Sequence, residues 1–307
     1  MNKITSLKEL TAVLKQQSRK YKIAVACGHD SNTITALAEA ANQSFAIPIL
    51  VGKKNLILDI IKENNLNENL FQIIDEQDDI KALNIALEMV KSDKADIFMK
   101  GLIGTDKFLQ AVLNKEKGLM KPKAVMSYVC ALEVPKYHKL LFVTDTAVLP
   151  YPDLDQKIAM LKYSLNMAQQ FGIAKPKVAL IGASEKAGQN STYSADYAVM
   201  CKMVERGQLP DCIIDGPIDI FLACDKESVE IKGVPTPVDG DADILLFPSL
   251  EACNSFYKGL MLFAGGELAG LIQGTTKPVV VMSRSESEAS KYYCVALACL
   301  MSDNQNN

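Results

Sequence analysis

Arg284 follows the run Lys277-Pro-Val-Val-Val-Met-Ser283 and precedes Ser285-Glu-Ser-Glu-Ala-Ser290. The β-branched run reads as a buried strand. Ser283 and Arg284 then stand at its carboxyl end, ahead of a helix through residues 292–300. Open α/β sheets bind their ligands at the carboxyl ends of strands. A guanidinium offers a planar fork that fits a phosphate bidentately, whereas a lysine ammonium is a point charge. With three arginines against thirty lysines, the placement is informative, although a surface arginine closing a loop occupies the same kind of position.

Four more turns have this character. Lys100-Gly-Leu-Ile-Gly-Thr105 follows a strand and opens a helix. Its glycines let backbone approach a ligand, Thr105 suits an N-cap, and a helix N-terminus favours an anion. The turn lacks the spacing of a nucleotide-binding loop, and an ordinary strand-to-helix turn accounts for it equally. Ile181-Gly-Ala-Ser-Glu-Lys-Ala-Gly188 offers Ser184 and Lys186. Asp215-Gly-Pro-Ile-Asp219 is a fixed turn in which Asp215, Gly216 and Pro217 end a strand. Ser249-Leu-Glu-Ala-Cys-Asn254 begins a helix, with Glu251 and Asn254 either capping it or facing a ligand. Lys, Arg, Ser, Thr and backbone N–H at five strand ends suit an anionic substrate in a cleft.

These turns are positioned by alternating strands and helices. Strands are expected at 22–27, 46–51, 71–74 and 95–99, and helices at 33–44, 54–64, 80–92 and 105–114. This is the rhythm of a parallel sheet covered on both faces. Residues 125–133 and 139–144 then read as an antiparallel hairpin, which marks a boundary near residues 122–124. Beyond it, helices at 154–171, 195–206 and 254–264 alternate with strands at 177–181, 212–215, 244–247, 269–273 and 279–282.

The net charge is −3 with Lys and Glu interspersed, which excludes nucleic acid as the main partner. Only two histidines, His29 and His138, are present, and eight cysteines form no CxxC pair. No metal site is expected, and the thiols read as buried and reduced, as in a cytoplasmic protein. No apolar run nears 18 residues, so neither secretion nor membrane spanning is expected. No GxSxG motif and no Cys–His pairing points to a covalent acyl-enzyme.

Several segments together resemble the phosphate acetyltransferase / phosphate butyryltransferase family over nearly the whole chain. They are residues 99–119, Leu140-Leu-Phe-Val-Thr-Asp145, Asp215-Gly-Pro217, Gly240-Asp-Ala-Asp-Ile-Leu-Leu246, Phe256-Tyr-Lys258 and Ser283-Arg284. Ala111-Val-Leu-Asn-Lys-Glu116 and Glu251-Ala-Cys-Asn254 look more like the butyryl branch. The resemblance implies an isocitrate/isopropylmalate dehydrogenase-like α/β architecture, with two α/β domains and a cleft between them. Domain one would comprise residues 1–124 plus 275–307 and carry Ser283-Arg284. Domain two, residues 125–274, would be inserted and start with the hairpin.

The implied reaction is reversible acyl transfer from acyl-CoA to phosphate in a ternary complex, with coenzyme A and phosphate as substrates and no resident cofactor. A homodimer is also implied. Ser283 would donate to the oxyanion and Arg284 would hold the phosphoryl group. Lys100, Gly101, Gly104, Thr105, Ser184, Lys186, Asp215, Gly216, Pro217, Glu251, Asn254 and Lys258 would bind phosphate or CoA. The sequence departs from the family pattern in three places. The aspartate expected seven residues beyond the serine is Ser290, leaving Glu286 or Glu288 as substitutes. A family arginine aligns with Gln110, and a basic position after Tyr-Lys is Met261-Leu262. The added apolar surface suits a longer acyl chain, at about 0.8 kcal/mol per buried methylene. The alternatives are an acetyl-CoA enzyme, a non-catalytic CoA-binding relative, and a metal-dependent decarboxylating dehydrogenase, which three arginines disfavour.

Overall fold

The computed structural model describes residues 3–188, 191–283 and 286–303, without the side chains of Thr192 and Asp303. The chain forms two compact units, one of Leu7–Ala124 and Leu268–Asn307, the other of Met1–Ser6 and Val125–Glu267. In chain order, the first unit opens with α1 (Leu7–Lys15), β1 (Tyr21–Ala26), α2 (Ser31–Asn42), β2 (Ala46–Gly52) and α3 (Lys54–Glu63). β3 (Gln72–Asp75), α4 (Asp79–Lys91), β4 (Ile97–Lys100) and α5 (Thr105–Leu113) follow. The inserted unit contains β5 (Ser127–Glu133), β6 (Leu141–Thr144), α6 (Leu154–Gln170), β7 (Lys177–Ile181) and α7 (Thr192–Glu205). It continues with β8 (Ile213–Ile218), α8 (Ile220–Cys224), α9 (Lys226–Lys232), β9 (Ile244–Leu246) and α10 (Leu250–Ala264). The chain then returns through β10 (Glu267–Gln273), β11 (Val279–Val280) and α11 (Glu288–Asp303).

In the first unit the strand order is β3-β2-β1-β4-β11-β10. All neighbours run parallel except β10, which pairs antiparallel to β11 at Ile272 and Val279. β1 is buried apart from Lys22, as expected of a strand covered on both faces. The order reverses between β1 and β4, because β2 lies on one side of β1 and β4 on the other. Such a switch point leaves a gap where the following loops part, and ligands bind there.

The inserted unit has the order β5-β6-β9-β7-β8. β5 and β6 form the antiparallel hairpin, and β6, β9, β7 and β8 are parallel. The loop after β6 is held by Asp145, whose buried carboxylate accepts from the Ser127 hydroxyl at 2.9 Å and from the N–H groups of Tyr128, Ala147 and Val148 at 3.1, 2.8 and 2.9 Å. Burial pushes this carboxyl up, and the four donors oppose that push.

The structure changes several sequence readings. β8 runs straight through Asp215-Gly216-Pro217 instead of ending at Asp215. α10 starts at Leu250, four residues earlier than expected, because the Ser249 hydroxyl accepts from the Ala252 N–H. Glu251 and Asn254 therefore lie inside the helix and do not cap it. Gly104, not Thr105, is the N-cap of α5. β10, expected in the inserted domain, pairs with β11, and the first six residues go with the inserted unit, where the Ile4 N–H meets the Phe171 carbonyl at 2.9 Å.

Gly101 shows why the end of β4 needs glycine. A Cβ there would lie 2.3 Å from the Cys27 carbonyl oxygen and 2.7 Å from that of Ala26. The close approach is to the backbone at the end of β1, where the carbonyls of Ala26 and of Cys27 just beyond it accept the Gly101 and Leu102 N–H groups at 2.9 Å each. Gly101→Ala is expected to cost about 2 kcal/mol through backbone displacement, read as a lower denaturant midpoint at unchanged slope.

Candidate functional site

β1, β4 and β11 lie side by side and parallel, so the segments after them emerge together. A crevice at these carboxyl ends is lined by Asp30, Thr33, Lys100, Gly101, Ser283 and Lys291, with Met99 and Met282 at its base. Its volume, about 10 Å³, is at the lower limit for one water. A substrate would lie over this surface, not sink into it.

Each polar group has a structural cause. Asp30 is the N-cap of α2 and accepts from the Thr33 N–H at 3.0 Å and from the Thr33 hydroxyl. Lys291, on the first turns of α11, donates to Asp30 at 3.0 Å, with only 4% of its side chain exposed. Burial alone would raise the Asp30 carboxyl, but the Thr33 hydroxyl and Lys291 hold it below its ordinary value. Lys100 is buried and donates to the Gly101 carbonyl at 3.2 Å. Nearby, His29 is buried, and its Nδ1 has no hydrogen-bond partner among the described residues. Burial, with Lys53 close by, holds that imidazole below its ordinary range.

The three candidates for a base separate clearly. The Glu286 carboxylate accepts the Ser283 N–H at 3.0 Å, and the Glu286 N–H faces the Ser283 carbonyl at 3.4 Å. This carboxylate is half-buried and holds the backbone N–H of Ser283. Glu288 is exposed at the start of α11. Ser290 is fully buried, and its hydroxyl accepts the Leu268 N–H at 3.1 Å. Ser290 thus ties α11 to β10 and is turned away from base chemistry. Arg284 and Ser285 lie outside the described residues.

The structure brings Lys100, Gly101, Ser283 and Glu286 to one end of the first unit, while Gly104 and Thr105 begin α5 just beyond. In the inserted unit, Ser184 and Lys186 share the exposed loop after β7, where the Lys186 N–H approaches the Ser184 hydroxyl at 3.3 Å. Gly216 is needed for packing, since its Cβ would lie 2.4 Å from that of Leu180. Asp215 accepts the Gly216 N–H at 2.8 Å. Asn254 donates to the Thr146 carbonyl at 2.9 Å, and Glu251 accepts from the Tyr151 hydroxyl at 3.1 Å. Lys258 is exposed on the same helix. Sequence reasoning missed Asp30, Thr33 and Lys291. Asp30 ahead of Thr33 and an apolar run was a visible capping pattern, but nothing local joins Lys291 to it.

Residues 76–299 match the family described as Phosphate acetyl/butaryl transferase. The chain belongs to this family. A phosphate butyryltransferase of Clostridium acetobutylicum is 38% identical over 302 residues, covering 98% of this chain and 100% of that protein. Among solved structures, a branched-chain phosphotransacylase from Enterococcus faecalis superimposes with a TM-score of 0.80 at 27% identity, covering 92% of this chain and 99% of that one. A 4-hydroxythreonine-4-phosphate dehydrogenase from Klebsiella pneumoniae, with a TM-score of 0.54 at 13% identity over 92% and 99% of the two chains, shares the fold alone. The dehydrogenase-like α/β class expected from the sequence is therefore the observed one.

The Asp30–Lys291 pair gives the acyltransferase-family surface a pH signature. The Asp30 carboxyl titrates below its unfolded value of 3.8, so its stabilisation is complete above that value and is lost as the pH falls through the lower, folded value. Asp30→Asn strands a buried ammonium and is expected to cost about 3 kcal/mol at neutral pH. Urea titrations in a pH series should show the deficit shrinking toward zero in acid.

Proposed function

We propose that the chain catalyses reversible transfer of a short acyl group between coenzyme A and inorganic phosphate, butyryl-CoA and phosphate giving butyryl phosphate and CoA. The near full-length match to a phosphate butyryltransferase carries this reading. The reaction proceeds in a ternary complex, and holding both substrates removes much of the entropic barrier. Glu286, bonded to the Ser283 N–H, takes the proton of the CoA thiol, whose thiolate is the nucleophile in the acyl phosphate to CoA direction. Ser283 donates to the oxyanion of the tetrahedral intermediate, and Arg284 holds the phosphoryl group. Among the described residues that line the crevice with Ser283, Lys100, buried at the end of β4, is the cation not paired with Asp30. In the inserted unit, Ser184, Lys186 and Lys258 are the exposed polar candidates for CoA contacts.

The second reading is an acetyl-CoA enzyme, which the same family includes by its description. A thiol-release panel of acyl-CoAs from two to six carbons, with and without phosphate, decides between them. The expected result is phosphate-dependent CoA release with the highest kcat/KM on butyryl-CoA. Absence of phosphate dependence overturns the reaction, and a higher kcat/KM on acetyl-CoA overturns the preference.

In the same assay, Glu286→Gln is expected to lower kcat about 100-fold and Arg284→Ala to raise the phosphate KM at least tenfold. Ser290→Ala should lower stability with little change in kcat, because its hydroxyl serves the Leu268 N–H.

A cytoplasmic homodimer belongs to the same proposal. Its support is the apolar end of α10, where Leu262 and Phe263 are 76% and 86% exposed, a surface of the kind that a second copy covers. Sedimentation should give twice the chain mass of 33.5 kDa.

A further inference from the structure

The amino ends of β1, β4 and β11 lie at the opposite end of these strands from the Ser283 crevice, and the segments gathered there are strongly basic. Residues 19–22 bring three cations, 91–96 two, 115–123 four and residue 277 one, against three carboxylates, Asp93, Asp96 and Glu116. The excess is seven positive charges in a chain of net charge −3, so the remainder carries −10. Toward β3 the excess ends, because Lys62 is outnumbered there by Glu63 and Glu68.

Contacts within the first unit hold these segments together. Arg19 pairs with Asp96 at 3.1 Å, and the same carboxylate accepts the Lys22 N–H at 2.8 Å. Lys277 pairs with Asp93 at 2.6 Å. Lys91 donates to the Glu116 carbonyl, and the Lys121 N–H donates to the Gly274 carbonyl at 2.9 Å. Asp93 and Asp96 are thereby engaged inside the cluster. Lys20, Lys22, Lys94 and the four lysines of residues 115–123 are exposed and form no ion pair among the described residues.

The composition selects the partner. Nucleic-acid readers set arginine against base edges and aromatic rings against base faces. Here the single arginine is bound to Asp96 and lies over the Tyr21 ring at 4.7 Å, and these segments expose no aromatic side chain. Protein interfaces concentrate aromatic residues and arginine at their centres and are depleted in lysine. A lysine ammonium is a hydrated point charge on a flexible stem. Several together suit a surface of mobile anions that imposes no fixed geometry, and clusters of about four to eight such cations bind anionic lipid headgroups. Leu113, the last residue of α5 and 50% exposed, adds an apolar side chain two residues before Lys115. Among the described residues no helix is long and apolar enough to cross a membrane, so the contact is peripheral.

We propose that this end of the first unit docks on an anionic lipid bilayer, through the lysines of residues 115–123 and their neighbours. The Ser283 crevice then stands at the far end of the strands, clear of the lipid. The assignment is independent of the acyl-transfer reading.

The test is sedimentation of the full chain with vesicles of phosphatidylcholine, alone or mixed with an equal part of phosphatidylglycerol. Binding is expected on the mixed vesicles only, and it should be lost as salt rises from about 0.1 M to about 0.5 M. Lys115→Glu, Lys117→Glu, Lys121→Glu and Lys123→Glu, made together, should weaken it about tenfold or more with the urea midpoint unchanged. A charge-matched control, Lys54→Glu, Lys81→Glu, Lys136→Glu and Lys162→Glu, reverses exposed lysines elsewhere and should weaken it less than about twofold. Equal losses in the two variants, or binding that does not depend on phosphatidylglycerol, overturn the proposal. So does tighter binding to a DNA duplex, or to polyglutamate as a stand-in for an acidic protein, at the same salt. If the reversal lowers the urea midpoint, Lys115→Gln, Lys117→Gln, Lys121→Gln and Lys123→Gln together replace it, and unchanged binding by that variant overturns the site.

Discussion

A buried lysine cannot keep its charge without a partner, and in the first unit that constraint organises everything around the switch point. Lys291 is nearly sealed from water and meets Asp30, which is itself the N-cap of α2. Desolvating an ammonium costs several kcal/mol unless a counter-charge and hydrogen bonds repay it. The pair thus holds the first turns of α11 against the first turn of α2. Glu286, which accepts the Ser283 N–H, lies two residues before α11 begins at Glu288, so its position depends on that clamp. Ser290 adds a neutral tie from the same helix to the backbone of β10.

Packing, more than ligand approach, explains the glycines. Gly101 and Gly216 each sit where a neighbouring strand leaves no room for a Cβ. Each unit thus packs its own parallel strands tightly at their carboxyl ends. Chemistry is then assigned to the side chains just beyond those ends, where the backbone has already been fixed by steric necessity.

Much of the fold was legible because its signals are local. Apolar β-branched runs and amphipathic helices alternate, and the short 134–138 connection announces the hairpin. The errors arose where tertiary contact overrides local pattern. Asp215-Gly-Pro217 reads as a turn, yet it extends β8 because Gly216 can lie flat against Leu180. β10, read as part of the inserted domain, instead pairs antiparallel with its sequence neighbour β11 across a short connection, Ile272 opposite Val279. At the site, Ser283 and Lys100 were picked out by strand-end position, whereas Glu286 entered only as one of two substitutes for the aspartate that the resemblance implied. Counting seven residues past the serine pointed to Ser290, but a helix register fixes direction as well as distance, and here that direction is inward. Lys291 lies 261 residues from Asp30, a separation no local pattern spans.

Five of the eight cysteines carry one further implication. Burial pushes the thiols of Cys27 and Cys212 up to about 11 and those of Cys201 and Cys224 up to about 12, with Cys253 also raised. Thiol–disulfide exchange needs a thiolate on the attacking side. A catalyst whose proposed product is free CoA works in the presence of a reactive thiol and its oxidised forms. By keeping these sulfurs protonated, three of them buried and Cys201 and Cys224 half-buried, the fold disfavours their mixed-disulfide formation with its own proposed product.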